Sequence, residues 1–179
     1  ARFLGVDANP EIIRTCEGIA RDLGFGNMDF RVGRVLDLVP DSTPDVVFAL
    51  HACDTATDET IAMGIRHEAR AVAVAPCCQR ELKRTLGARH PLSPVGHFPI
   101  LREHLAVMLT DAVRALTLEA AGYSVKVIEF VQAKHTPKNL LIRARRRSYQ
   151  IQTRPLHSFR DLKETFGFHS SLEAYLPDL

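Results

Sequence analysis

The 179-residue chain contains no apolar run long enough to cross a bilayer. Its opening, ARFLGVD, carries neither the pattern of a secretory leader nor that of a transit peptide. The expectation drawn from these absences is a cytoplasmic chain with no membrane partner. Cysteine is scarce: Cys16, Cys53, Cys77 and Cys78 are the only four, and the last two are neighbours. Adjacent cysteines seldom bridge each other without strain, so a secreted disulfide framework is set aside in favour of reduced thiols or a metal site. No internal repeat or low-complexity tract interrupts the chain, which has the length of a single domain. Net charge is close to balance, at +2, and so does not itself name a partner.

Charge is unevenly placed along the chain, however. Lys126 to Lys163 holds ten lysines and arginines against two acids, Glu129 and Asp161, whereas Ala1 to Val125 holds thirteen bases against sixteen acids. A late basic segment is a possible footprint for a phosphate backbone, and equally a solvated strand end rich in arginine.

The order of elements is the clearest structural signal. RFLGV (2–6) is a short strand ending at Asp7, after which Asn9-Pro10 supplies an N-cap and a proline at the first helical position. Ile12, Ile13, Cys16, Ile19, Ala20 and Leu23 recur at helical spacing, and Gly24 stands where a left-handed C-cap residue belongs. MDFRV (28–32) and DVVFAL (45–50) read as further strands, the second apolar enough for a parallel strand covered on both faces. Thr57 or Asp54 is the expected cap of a helix with Ile61, Ile65 and Ala69 on its apolar face. AVAVA (71–75) is a fourth strand. A longer helix is expected to bury Leu101, Leu105, Met108, Ala112 and Leu116 and to end at Gly122. YSVKVIEF (123–130) and LLIRARR (140–146) then predict an antiparallel hairpin, and the tail a short helix over 158–166.

Strands and helices that alternate and then close in an antiparallel hairpin resemble the class I S-adenosylmethionine-dependent methyltransferases. The resemblance implies an α/β, Rossmann-like sheet, mostly parallel with a terminal antiparallel hairpin. The glycine-rich loop of that family has no counterpart before RFLGV, so the expectation is a domain over residues 1–147 that lacks its first strand–helix unit, with 148–179 as a C-terminal extension. GVD (5–7) is similar to the family element whose acid holds the cofactor ribose, which assigns that role to Asp7, with Ala8 and Asn9 beside it. A carboxylate can accept two hydrogen bonds from a diol, and a strand's carboxyl end faces the ligand crevice. The loop GRVLD (33–37) is expected at adenine through Arg34 and Val35. Family members often carry an acid where Arg34 stands, and Asp37 reads as a turn residue.

Leu50 and Ala75 should end neighbouring strands, which brings HACD (51–54) and PCCQ (76–79) to one edge. LHACDTATD, PCCQ and HTPKN together resemble a subgroup that includes relatives of the tRNA acceptor-stem ribose methyltransferases, with Asp54 in place of the usual glycine. The resemblance implies methyl transfer, with RNA (tRNA or rRNA) as the leading acceptor. Leu50 and His51 would border the cofactor. Three uses of the His51, Cys53, Asp54, Cys77 and Cys78 group stay open. A zinc set is weakened by irregular ligand spacing. A nucleophilic cysteine lacks a basic neighbour in sequence to lower its pKa. A positioning site suits an in-line displacement that needs little beyond alignment and exclusion of water.

On the third use His51, Asp54 or His135 serves as base for a hydroxyl acceptor, no metal is needed, and Pro76, Cys77, Cys78, Gln79, Thr136, Lys138 and Asn139 line the substrate. His51 also reads as a hydrogen-bonded histidine tying adjacent loops, and Pro137 with Asn139 as a simple hairpin turn. Residues 91–99 read as a loop over the substrate or a plain connector. Competing functions are protein or small-molecule methylation, a nicotinamide-dependent oxidoreductase, against which the closing hairpin argues, and a noncatalytic zinc or nucleic-acid binding module. Oligomeric state is left open.

Overall fold

A computed structural model describes residues 1–52, 55–77, 80–85, 90–132 and 139–179. They divide into two compact units, Ala1–Asp41 and Ser42–Leu179.

In the first unit, β1 (Phe3–Asp7) pairs in parallel with β2 (Met28–Val32), and α1 (Pro10–Asp22) crosses between them. The helix starts as its sequence dictates: the Asn9 side chain accepts from the Glu11 N–H at 2.8 Å, and Pro10 occupies the first turn, where its missing N–H costs nothing. Gly24, at φ 73°, takes the left-handed conformation that closes the helix. Ile13 and Ala20 are buried, while Ile12, Ile19 and Leu23 of the same expected stripe are exposed.

In the second unit the strands are β3 (Val46–Leu50), β4 (Ala71–Ala75), β5 (Tyr123–Glu129) and β6 (Leu140–Arg146), in the spatial order β3-β4-β6-β5. β3 and β4 are parallel, with Leu50 opposite Ala75 as the sequence predicts. β6 lies between β4 and β5 and is antiparallel to both, so β5 points the same way as β4. The loop after β5 therefore leaves from the edge where β3 and β4 end. Parallel pairs joined by helices, with an antiparallel terminal pair, make this the expected α/β architecture.

α2 (Thr55–Arg66) and α4 (Pro99–Ala120) pack against this sheet. Gly64 lets α2 approach closely, because a Cβ there would stand 2.6 Å from Val72 Cγ2. The covered face carries Val72, Val74, Ile142 and Ala144, all fully buried. On the other face the alternate residues Val46, Phe48 and Leu50 are exposed, so β3 is not the doubly covered strand its composition suggested.

Three other expectations are corrected. Thr57 does not cap α2: it lies two residues inside the helix and its hydroxyl donates to the Ala52 carbonyl at 2.8 Å, while Asp54 lies outside the described residues. In α4, Leu101 and Met108 are exposed. The buried stripe instead runs through Leu105, Ala106, Leu109, Thr110, Val113, Arg114, Thr117 and Leu118. Hydrophobicity alone misplaced it because that stripe includes a buried arginine and threonines.

The tail is larger than a single short helix. It forms α5 (Thr153–Phe166) and α6 (Ser171–Tyr175), separated by Gly167 in the left-handed conformation. Ser170 and Glu173 close a capping box on α6. α5 packs on α4, α6 on α2, and the Arg66 guanidinium donates to the Tyr175 carbonyl at 3.0 Å. Residues 80–85 form the short helix α3 (Arg80–Thr85), whose Glu81 accepts from the Ser171 N–H at 2.8 Å. Residues 95–97 make a single 3-10 turn ahead of Pro99.

Candidate functional site

The expected cofactor residues of the first unit come together at the carboxyl ends of β1 and β2. Asp7 is opposite Val32 in the register, and the Gly33 N–H donates to the Asp7 carbonyl at 3.0 Å. Arg34 and Val35 therefore follow directly beside Asp7, Ala8 and Asn9. One oxygen of the Asp7 carboxylate accepts from the Asn9 N–H at 2.7 Å. That bond fixes the side chain over the strand tip and leaves its other oxygen without a protein hydrogen bond among the described residues. Asn9, not Asp7, caps α1. Val35 opens a 3-10 turn and is half-buried, an apolar surface next to the acid.

In the second unit, Leu50 and Ala75 end their strands as a register pair. The chain turns sharply after Leu50, with His51 at φ 57°, a left-handed conformation that disfavours a residue with a Cβ. Two bonds hold it there. The His51 N–H donates to the Ala75 carbonyl at 2.9 Å, and the Cys77 thiol donates to the His51 carbonyl at 3.5 Å. The Thr57 bond to Ala52 ties the other end of the turn to α2. Strain of this kind persists where the surroundings over-determine it, and here it leaves the imidazole exposed at the strand edge. Pro76 is buried beneath the same edge.

Cys53, Asp54, Cys78, Gln79, His135, Thr136 and Lys138 lie outside the described residues. Asn139 is buried, with its amide donating to the Val131 carbonyl at 3.0 Å and its own carbonyl accepting from the Phe130 N–H, so its side chain closes the base of the loop between β5 and β6. Among the described residues, no group of three or more His, Cys, Asp or Glu is placed to hold a metal ion.

Behind the His51 turn is an ionic cluster that the sequence reading did not anticipate. Arg114 of α4 donates through Nε to Asp58 of α2 at 2.7 Å and through Nη1 to Asp111 at 3.2 Å, with all three side chains buried. Burial works to lower the Arg114 pKa, but the charge of Asp58 and its hydrogen bond, then those of Asp111, hold it above its ordinary value. Asp58 is the last residue of LHACDTATD, so the end of that motif belongs to the core that supports the turn. The available signal was an arginine with an aspartate three residues earlier on an otherwise apolar helical face.

The family model described as a methyltransferase domain matches residues 1–85. That span takes in both the Asp7 edge and the His51 edge. An rRNA methylase from Streptococcus thermophilus is similar in fold, with a TM-score of 0.53 at 10% identity over 82% of this chain and 74% of that one. The 23S rRNA methyltransferase ErmE is similar to the same degree, with a TM-score of 0.53 at 10% identity, over 90% of this chain and 60% of that chain. A magnesium protoporphyrin IX methyltransferase from Synechocystis PCC 6803 with bound SAH gives a TM-score of 0.45 at 18% identity, over 82% of this chain and 65% of that chain. A comparison with curated proteins gives no match. Among the described residues, no helix is long and apolar enough to cross a membrane.

Proposed function

We propose that the chain, whose residues 1–85 match the family model described as a methyltransferase domain, transfers a methyl group from S-adenosylmethionine to RNA. The observation that carries the reading is the His51 turn, a strained backbone held at the shared edge of β3 and β4 inside the matched span. Residues 1–147 are proposed as the methyltransferase domain and 148–179 as its extension.

The edge at Asp7 suits the ribose and adenine of the cofactor. Asp7 offers a carboxylate oxygen to a ribose diol, Ala8 and Asn9 border it, and Arg34 and Val35 border adenine, with Val35 supplying the apolar contact. In the second unit, Leu50 and His51 at the end of β3 are proposed as further cofactor residues. When bound, S-adenosylmethionine supplies a methyl group already activated by its sulfonium centre. The work left to the protein is alignment, exclusion of water and, for a hydroxyl acceptor, removal of a proton. His51 is proposed as that base, its ring carried on a backbone that the Ala75 and Cys77 bonds keep from turning away; Asp54 and His135 are the other candidate bases. Pro76, Cys77, Cys78, Gln79, Thr136 and Lys138 are proposed as acceptor residues, whereas Asn139, buried with its amide bonded to the Val131 carbonyl, closes the base of the loop instead.

RNA is favoured as acceptor by the late basic segment, whose Lys126, Arg143 and Arg145 are exposed. The test is to incubate the protein with methyl-labelled S-adenosylmethionine and a methyl-poor cell extract, then separate RNA, protein and small molecules. Label in RNA, lost in Asp7→Ala and His51→Ala, is the expected result. Label in protein or small molecules would overturn the RNA acceptor.

A further inference from the structure

At the end of the second unit's sheet away from the Leu50 and Ala75 edge lies a cavity of about 220 Å³ lined by Arg70, Arg145, Arg146, Arg147 and Tyr149. The register locates it: Arg145 is opposite Ala71, the first residue of β4, whereas the methyl-transfer edge begins at Ala75, the last. At the usual rise per residue, the two ends of β4 are about 13 Å apart.

Four features of this cluster are those of an anion site. First, cationic residues are crowded where packing gives no reason for it. Lys126 is directly opposite Arg143, and Arg145 follows on the same face. Like charges paired across strands are destabilising, yet among the described residues none of Lys126, Arg143, Arg145 and Arg147 is in an ion pair. Second, Arg146 acts as a scaffold. Its guanidinium lies 4.3 Å from the Tyr123 ring centre and 5.0 Å from that of Tyr149, and it donates to the Tyr123 hydroxyl at 2.7 Å and to the carbonyls of Ala121, Ser148 and Ile65. Those bonds hold the chain at Arg145 and Arg147 while Arg146 Nε remains buried with no hydrogen-bond partner. Third, Tyr149 stands 72% exposed at the rim, an aromatic face of the kind on which an unpaired base stacks. Fourth, acidic neighbours are few: Asp45, which pairs with Arg70 at 3.0 Å, and Glu68, whose charge is felt by Tyr123.

We propose that Arg70, Arg145, Arg147 and Tyr149 form an anchoring site for single-stranded RNA, which binds a phosphate in the arginine cavity and stacks a base on Tyr149, at the opposite end of the sheet from methyl transfer. The proposal rests on the RNA reading above. Arginine forks bind phosphate oxygens bidentately, and the adjacent aromatic ring distinguishes a nucleic acid from an acidic peptide as occupant. Lys126 and Arg143 extend the positive surface from this cavity along the sheet.

The experiment is titration of a fluorescein-labelled single-stranded RNA with the protein at a series of salt concentrations, read by anisotropy. Arg145→Gln/Arg147→Gln changes two exposed side chains and leaves Arg146 in place. It should bind about tenfold or more weakly, with the slope of log affinity against log salt reduced by about 1.4, two single-strand phosphate contacts. Tyr149→Ala should weaken binding at least fivefold with the slope unchanged. Wild-type affinity and slope in the double variant would overturn the anchoring site while leaving RNA as the acceptor. Wild-type protein that binds no RNA, or from which polyglutamate displaces RNA as readily as unlabelled RNA does, would overturn the anchoring site too. The labelling assay decides the acceptor independently of these variants.

Discussion

Arg114 Nε donates to Asp58 Oδ1 at 2.7 Å between two helices, with the side chains only 1% and 3% exposed. A charge pair removed from water this far has little net effect on stability compared with an apolar pair of the same shape, but losing one member strands the other.

Arg114→Met, which leaves Asp58 and Asp111 buried without the guanidinium, is therefore expected to lower stability by about 3–5 kcal/mol, measured by urea denaturation. Lys83 and Glu103 form a pair of similar length, 3.0 Å, on the surface. Glu103→Ala should cost less than about 1 kcal/mol, because water screens that pair already. Equal losses in the two variants would contradict this reading of the core.

Tyr123 gives the fold a dependence on alkaline pH. Its hydroxyl donates to the Ala69 carbonyl at 2.8 Å and accepts from Arg146. Burial raises its pKa above the ordinary value of 10.0, outweighing the lowering by Arg146. A phenol that holds its proton more tightly when folded contributes stability that is intact below its unfolded pKa and is lost as pH rises from about 10 through the folded pKa. Tyr123→Phe should be less stable by about 1–3 kcal/mol at pH 8 from the broken network, and should lose less additional stability between pH 9 and 11. Denaturation midpoints of both proteins across that range are the measurement. Parallel curves would refute the linkage.

His51 separates stability from function. At φ 57° a glycine is unstrained, so His51→Gly should be more stable than His51→Ala by about 1 kcal/mol. Both should lose methyl transfer if the imidazole is the base. A stable glycine variant with full activity would remove His51 from the chemistry and leave it as a turn.

How much of this was legible beforehand differs by element. Asn9-Pro10 and Gly24 are local signals whose meaning does not depend on the rest of the chain, and they placed α1 closely. The Leu50 and Ala75 pairing followed from strand order, and the β5–β6 pair from the short connection. Leu101 and Met108 misled because a residue's hydrophobicity says nothing about which side a helix turns inward once Arg114 has buried partners on α2. β3 misled in the same way: its continuous apolar run does not tell whether one face or two are covered. The conformation of His51 was not readable from sequence, since it depends on the Ala75 carbonyl and Cys77 thiol, more than twenty residues away. Asp7 was legible in position, but its bond to the Asn9 N–H, which aims the carboxylate, was not.

The most direct measurement is a calorimetric titration of the protein with S-adenosylmethionine, beside Asp7→Asn, which keeps an acceptor for the Asn9 N–H but removes the charge. One-to-one binding that falls by about tenfold to a hundredfold in the variant is expected if the free carboxylate oxygen receives the ribose. No binding by the wild-type protein, or equal binding by both, would contradict the assignment of the Asp7 edge to the cofactor.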